Sequence, residues 1–264
     1  MMTKTPSLLT RTLDRVGTRF MGWSAEVGGM LVLTAQIFRS FFPPQLDGPE
    51  TWRNMHRVGV KSFPIVVVTA LLTGAIMVIQ AGMYIERYGA YGLLGWGAGY
   101  SVLREVGPIM IGLMFSGRVG ANNTAELGTM RVTDQIDALR ALAIDPVGYL
   151  VMPRFLAMIV MMFLLVVVGD FTALLGGAIT SEVLLGVDSE LFAWSIITYI
   201  HLSDFTHGLT KALAFGFAIA IISCHFGMGA RGGAVGVGRA VNASVVGSAI
   251  AIFVLDYFIT YLYL

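Results

Sequence analysis

Twenty-four consecutive uncharged residues, Ser62 to Ile85, constrain this chain more than any other feature. A helix rises about 1.5 Å per residue, so such a run spans the roughly 30 Å hydrocarbon core of a bilayer. Further apolar runs follow at about 93–119, 150–178, 211–229 and 240–262, which predicts five transmembrane helices in an all-α membrane protein. Only 12% of the residues are charged, half the level of about 25% usual in soluble domains. The 32 glycines scattered through the apolar runs suit close helix approach in a bundle. A formal net charge of +1 offers no basic field for nucleic acid. The single cysteine, Cys224, excludes an intrachain disulfide, and no metal-ligand spacing accompanies the histidines.

Residues 1–60 form an amino-terminal segment ahead of a five-span domain at 61–264. Leu9, Leu13, Val16, Phe20, Trp23 and Val27 recur at helical spacing, with Arg11, Arg15 and Arg19 on another face. That pattern predicts an amphipathic helix lying in the membrane interface. Its continuation between Glu26 and Arg39 has 12 uncharged residues, short of the roughly 20 a crossing needs, and is expected to be embedded in one leaflet and ended by Pro43-Pro44, with a sixth crossing as the alternative.

Lysine and arginine are distributed very unevenly. Fourteen fall in residues 1–61, 118–154 and 227–240, against one, Arg87, in the intervening loops. Positive loops stay in the cytoplasm, which predicts a cytoplasmic amino terminus and, with five spans, a periplasmic carboxyl terminus. On the outer side a short helix is expected near 189–199.

The densest polar stretch is residues 117–146. Asn123 followed by Glu126 can cap a helix start, and Val132, Ile136, Leu139 and Ala143 make an apolar stripe opposed by Arg131, Asp134 and Asp137. Asp145-Pro146 ends it and suits the start of the next helix. The expectation is one cytoplasmic amphipathic helix between spans 2 and 3. It either rests on the membrane or docks, as a coupling helix, in a groove of a partner.

Leu103-Arg-Glu-Val-Gly-Pro108, Gly117-Arg-Val-Gly120, Ala125-Glu-Leu-Gly-Thr-Met130, Gln135-Ile-Asp-Ala-Leu-Arg140, Ile144-Asp-Pro146, Pro153-Arg154 and Arg231-Gly-Gly-Ala-Val-Gly-Val-Gly-Arg239 resemble, in this order, the MlaE-type permeases of ABC transporters. The likeness covers about residues 60–260. It implies a homodimeric permease in a bacterial inner membrane that moves phospholipids or related lipids to or from periplasmic carriers. It also implies a cytoplasmic ABC ATPase that binds ATP and magnesium, a periplasmic MCE-domain lipid-binding protein and, in some members, a STAS-domain protein. No cofactor is expected in this chain, which lacks a G-x-x-x-x-G-K-[ST] phosphate loop. Carried over, the ATPase contact falls on Glu126, Leu127, Thr129, Met130, Arg131, Asp134 and Gln135.

Arg104 and Glu105 lie near the middle of the expected second span, where a charge costs at least about 2.5–3.5 kcal/mol. Neighbours on a helix point about 100° apart, so the two cannot simply neutralise each other. They are expected either to find structural partners such as Asp170, Asp256 or a symmetry mate, or to face a lipid cavity at a dimer interface. Val106, with Met77, Gln80, Tyr84, Ile85 and Tyr88 at the outer end of the first span, would complete that cavity. An ATP-independent carrier or channel for a hydrophobic substrate is the competing function, and it calls for inverted repeats or rows of buried charge. Neither stands out. A membrane-embedded hydrolase would need H-E-x-x-H or G-x-S-x-G, and neither motif occurs.

Overall fold

The structure is a computed structural model and describes residues 8–40 and 48–263. Ten α-helices follow in order among these residues: α1 Leu8–Arg39, α2 Gly48–Tyr88, α3 Leu94–Ser101, α4 Gly107–Phe115, α5 Ala121–Val132, α6 Gln135–Ala141, α7 Met152–Leu185, α8 Ser189–Tyr199, α9 Leu202–Met228 and α10 Gly233–Leu262. Among the described residues four helices are long and apolar enough to cross a membrane: α2, α7 with the turn before it, α9 and α10. The protein is a multi-pass membrane protein.

The count is four, not the expected five. The interval expected to hold the second span is a run of short helices, α3, α4 and α5, joined by π-helical turns at Val102–Val106 and Ser116–Gly120. Arg104, Glu105 and Arg118 lie in these turns, so the run is neither uniform nor apolar enough. Proline supplies a local cause at the first turn. Pro108 has no N–H to give the Arg104 carbonyl and its ring crowds that carbonyl, so the helix widens just before it. The same reasoning applies to the π-helical turn Val147–Val151 ahead of Pro153. The run is held in the middle of the bundle. Residues of α3 and α4 pack on α7 and α9, and α5 packs between α9 and α10.

Close backbone contact sets the bundle's geometry. A Cβ on Gly74 of α2 would overlap the Ala173 carbonyl of α7, and one on Gly176 of α7 would overlap the Leu71 carbonyl of α2. Gly208 of α9 meets the Leu103 carbonyl in the same way. Without an apolar driving force between helices in lipid, this small-residue packing is what lets helices adhere. The main core lies where α4, α7 and α9 meet, around Phe115, Met158, Met162, Phe215 and Ile219.

The amino-terminal helix continues unbroken to Arg39, and Leu33 and Ile37 bury themselves in the same core. Phe20, Trp23 and Val27 of the expected interfacial stripe are exposed. The side chains of Leu9, Leu13, Val16, Arg11, Arg15 and Arg19, and all of Pro43-Pro44, lie outside the described residues.

The polar stretch 117–146 also departs from expectation, and nothing in it identifies a coupling helix. Asn123 does not cap a helix; it lies inside the run, buried, donating through Nδ2 to Ser223 Oγ at 2.8 Å. Helix α5 stops at Val132, and Asp134 adopts a left-handed conformation with φ 59°, so two short helices replace one. Of the expected stripe, Ile136 is buried and Ala143 is exposed. Asp145 does act as expected, accepting the N–H groups of Val147 and Gly148 and starting the next helical run. Helix α8 falls at the expected place and is capped by Asp188, which accepts the Glu190 N–H.

Gly176→Val should drive the α2–α7 contact apart and cost about 1–3 kcal/mol, as overpacking does. Thermal unfolding in detergent should show a lower midpoint and reduced folded yield for this variant. Gly117→Ala, where an added Cβ meets nothing within 4 Å, should match the parent.

Candidate functional site

Five charged side chains meet within the bundle. The π-helical turn Val102–Val106 places Arg104 and Glu105 toward different neighbours. Glu105 Oε2 lies 2.5 Å from Lys211 Nζ on α9, and the same ammonium lies 2.7 Å from Asp256 Oδ1 on α10. Thr260, one turn beyond Asp256, donates to Glu105 Oε1 at 3.2 Å. Arg104 turns instead to Asp204 near the start of α9, at 3.1 Å, and its guanidinium lies 5.0 Å over the Tyr100 ring. The other Asp204 oxygen accepts the His201 N–H and so fixes the beginning of α9. Nearby, His207 stacks on Tyr263 with ring centroids 4.5 Å apart.

Burial separates the roles. Lys211 is 0% exposed, while the Glu105 side chain retains 36% exposure. The cluster is therefore an ammonium sealed between α9 and α10 with one carboxylate that still reaches an opening. Lys211, Glu105 and Asp256 together carry one excess negative charge, whereas Arg104 and Asp204 cancel. A buried ion is tolerated only when it is paired and hydrogen-bonded, and Lys211 meets that condition through a hydrogen bond to Glu105 and an ion pair with Asp256.

The sequence-predicted residues divide. Arg104 and Glu105 join the ionic cluster, with Val106 half-buried beside them. Met77 and Ile85 instead pack into a small apolar core with Val78, Leu94 and Phe192. Gln80, Tyr84 and Tyr88 are exposed on the outer face of α2, the tyrosines at 67% and 77%. Within one chain the structure does not gather these eight residues into one cavity. Asp170, expected as a possible partner, reaches neither charge. It is 1% exposed and packed against Gly107, and both its carboxylate oxygens lack hydrogen-bond partners among the described residues. Asp256 does join the cluster, but as a second carboxylate on Lys211 rather than as a partner of Arg104 or Glu105.

Sequence reasoning set Lys211 at the edge of its span and passed over Asp204 and Thr260. The span in fact begins at Leu202, so Lys211 lies more than two turns inside it. The available signal was charge balance: Arg104, Glu105, Lys211 and Asp256 fall in or next to apolar runs, and buried charges must pair.

A second polar assembly ties the opposite end of the bundle together. Glu126 on α5 accepts Arg57 of α2 at 3.2 Å and Arg154 of α7 at 3.0 Å, and Asn122 donates to it at 2.9 Å. Thr124 donates to Ser244 of α10 at 2.9 Å and to the Ser223 carbonyl of α9 at 3.1 Å. Of the residues expected to contact an ATPase, Leu127 is fully buried and Glu126 is engaged in these ion pairs. Arg131 pairs with Asp137 at 2.6 Å and Met130 is half-buried, whereas Thr129, Asp134 and Gln135 are exposed. Among the described residues no group of histidine, cysteine and carboxylate side chains could hold a metal ion.

The fold is thus that of a polytopic helical-bundle membrane protein with paired charges inside. Over residues 51–262 the chain matches the family of the permease MlaE, and it belongs to that family. It is 37% identical to the "Probable ABC transporter permease protein" of Rickettsia felis, over 97% of this chain and 99% of that one. A relative of the same description from Synechocystis is 35% identical over 91% of each chain. The chloroplastic protein Trigalactosyldiacylglycerol 1 of Arabidopsis thaliana is 31% identical over 80% of this chain and 62% of that protein. The protein is thus a non-catalytic ABC transporter permease subunit.

Lys211→Met should leave Glu105 and Asp256 without their cation and destabilise the bundle by about 3–5 kcal/mol. Thermal unfolding of the detergent-solubilised protein reads this directly. Adding Glu105→Gln and Asp256→Asn to Lys211→Met should restore much of the loss, because no buried charge is then left unpaired.

Proposed function

We propose that this chain is the membrane-spanning subunit of a transporter that moves phospholipids or related lipids, driven by ATP hydrolysis on a separate subunit. The observation that carries this reading is the partly open Glu105 carboxylate beside a sealed Lys211 in an apolar bundle. Such a site offers polar contacts to a lipid headgroup while the surrounding helices accommodate acyl chains. The name of the Arabidopsis relative is that of a galactosyl diacylglycerol, which agrees with a lipid substrate. Arg104, Glu105 and Val106 would meet the headgroup. Met77, Gln80, Tyr84, Ile85 and Tyr88 on α2 would contribute once a second copy of the chain is in place. The exposed tyrosines Tyr84 and Tyr88 are suited to that contact.

The working assembly would be a homodimer in a bacterial inner membrane, with two ABC ATPases on the cytoplasmic side and an MCE-domain lipid carrier outside. A STAS-domain protein would join through the ATPase. Fourteen lysines and arginines gathered in residues 1–61, 118–154 and 227–240 support a cytoplasmic placement of the end bearing Arg57, Glu126 and Arg154. There the ATPase would meet the exposed turn that includes Thr129, Asp134 and Gln135.

Glu105→Gln keeps the shape of the side chain and removes its charge. In proteoliposomes containing the complete complex, lipid transfer should fall about tenfold, equivalent to roughly 1.4 kcal/mol. Basal ATP hydrolysis should stay close to wild type. A photoreactive residue at Tyr84 should capture lipid in the parent complex. Transfer undiminished in the variant, together with no lipid captured at Tyr84, would overturn the reading.

A further inference from the structure

A cleft lies at the other end of the bundle from the Glu105–Lys211 cluster. It measures about 470 Å³ and opens between α2, the π-helical turn Ser116–Gly120 with α5, and the first turn of α7. Its polar wall holds four cations, Arg57, Lys61, Arg118 and Arg154, and one carboxylate, Glu126. Glu126 is already shared by Arg57 and Arg154. Lys61 and Arg118 have no carboxylate partner among the described residues, so the wall carries three uncompensated positive charges. A third polar group is also unengaged. Ser62 is 2% exposed, lines the same cleft, and its hydroxyl has no hydrogen-bond partner among the described residues.

Cations gathered this closely around a cleft repel one another unless an anion joins them. A tetrahedral oxyanion suits the arrangement, because guanidinium and ammonium groups bind phosphate through short, charge-assisted hydrogen bonds. The surroundings decide which phosphate. Val58, Ala157 and Met158 form the cleft's apolar wall. One turn along α2 from Lys61 and Ser62 lies Ile65, exposed, and further along lies Val68, exposed at 58%. Arg118 continues onto the face of α4 that bears Met114 and the exposed Met110, and Met114 Sδ touches Thr69 Oγ1 of α2 at 3.6 Å. An apolar seam between α2 and α4 therefore leads away from the cationic wall toward the interior of the bilayer. Free phosphate would have no use for it.

We infer that this cleft binds the phosphate of a membrane phospholipid, with the acyl chains laid along the α2–α4 seam. The site is separate from the Glu105 cluster and needs no transport to operate. Its occupant would clamp α2, α5 and α7 together by supplying the anion that Glu126 alone does not.

Native mass spectrometry of the delipidated full chain, titrated with phosphatidylglycerol, tests the inference. One phosphatidylglycerol should be retained, diacylglycerol with the same acyl chains should not, and millimolar inorganic phosphate should fail to displace it. Lys61→Gln with Arg118→Gln should weaken retention about tenfold, as expected when two charge-assisted contacts are lost. Glu190→Gln, at an exposed position of α8 outside both sites, should leave it unchanged. Equal retention of diacylglycerol, ready displacement by inorganic phosphate, or full retention in the double variant would each overturn the proposal. Loss of the lipid in Glu105→Gln alone would place it at the central cluster, refuting this site while leaving the transport reading intact. Should the double variant not fold, a photoreactive residue at Ile65 gives an independent test in vesicles of phosphatidylglycerol. Lipid crosslinking there supports the site, and its absence refutes it.

Discussion

Lys211 is sealed inside a bundle made almost wholly of apolar side chains, and a lone ammonium there would cost several kcal/mol. Its two carboxylate partners come from different parts of the chain, Glu105 from the interrupted run and Asp256 from α10. The requirement to pair this charge ties three stretches separated by about a hundred and by about fifty residues. It also explains why the run 94–120 cannot be a uniform apolar helix. Arg104 and Glu105 have to reach separate partners, and the π-helical turn ahead of Pro108 is where the backbone departs from regular geometry.

The second constraint is distance between backbones. Gly74, Gly176 and Gly208 each lie against a carbonyl of a neighbouring helix, so α2, α7, α9 and the interrupted run approach more closely than side chains would allow. That approach brings the α9 lysine within reach of Glu105. Glycine contacts and ion pairs thus depend on each other: the first sets the spacing, and the second fixes which faces meet. At the other end Asn123, Thr124, Ser223 and Ser244 do the same with neutral hydrogen bonds, which hold in a low-dielectric interior without the desolvation cost of ions.

Much of the helical content was legible in the residues. Apolar length located α2, α7, α9 and α10, and Asp145-Pro146 marked the start of a helical run through ordinary capping chemistry. The ordered motifs, from Leu103 through Arg239, were sufficient to place the chain in its permease family. Two patterns misled. Length and hydropathy made 93–119 look like another uniform span, although Pro108 and three charges argued against regularity. Asn123 and Glu126 had the spacing of a helix start, but that spacing is local and says nothing of Ser223, Arg57 or Arg154, which claim those side chains in the fold.

The sequence by itself determined that the chain lives in a membrane, which stretches are long enough to cross it, and that Arg104 and Glu105 need company. These follow from one-dimensional quantities: hydrocarbon thickness, rise per residue and the cost of an unpaired charge. Only the tertiary structure decided that Glu105 meets Lys211 and Asp256 while Arg104 meets Asp204, and that Arg57, Lys61, Arg118 and Arg154 share one cleft. Pairing across about a hundred residues depends on which helix faces are turned together, and a linear pattern does not record the rotation of a helix about its axis. For the same reason Tyr84 and Tyr88, near the end of α2, proved to be exposed rather than part of the chain's own ionic cluster.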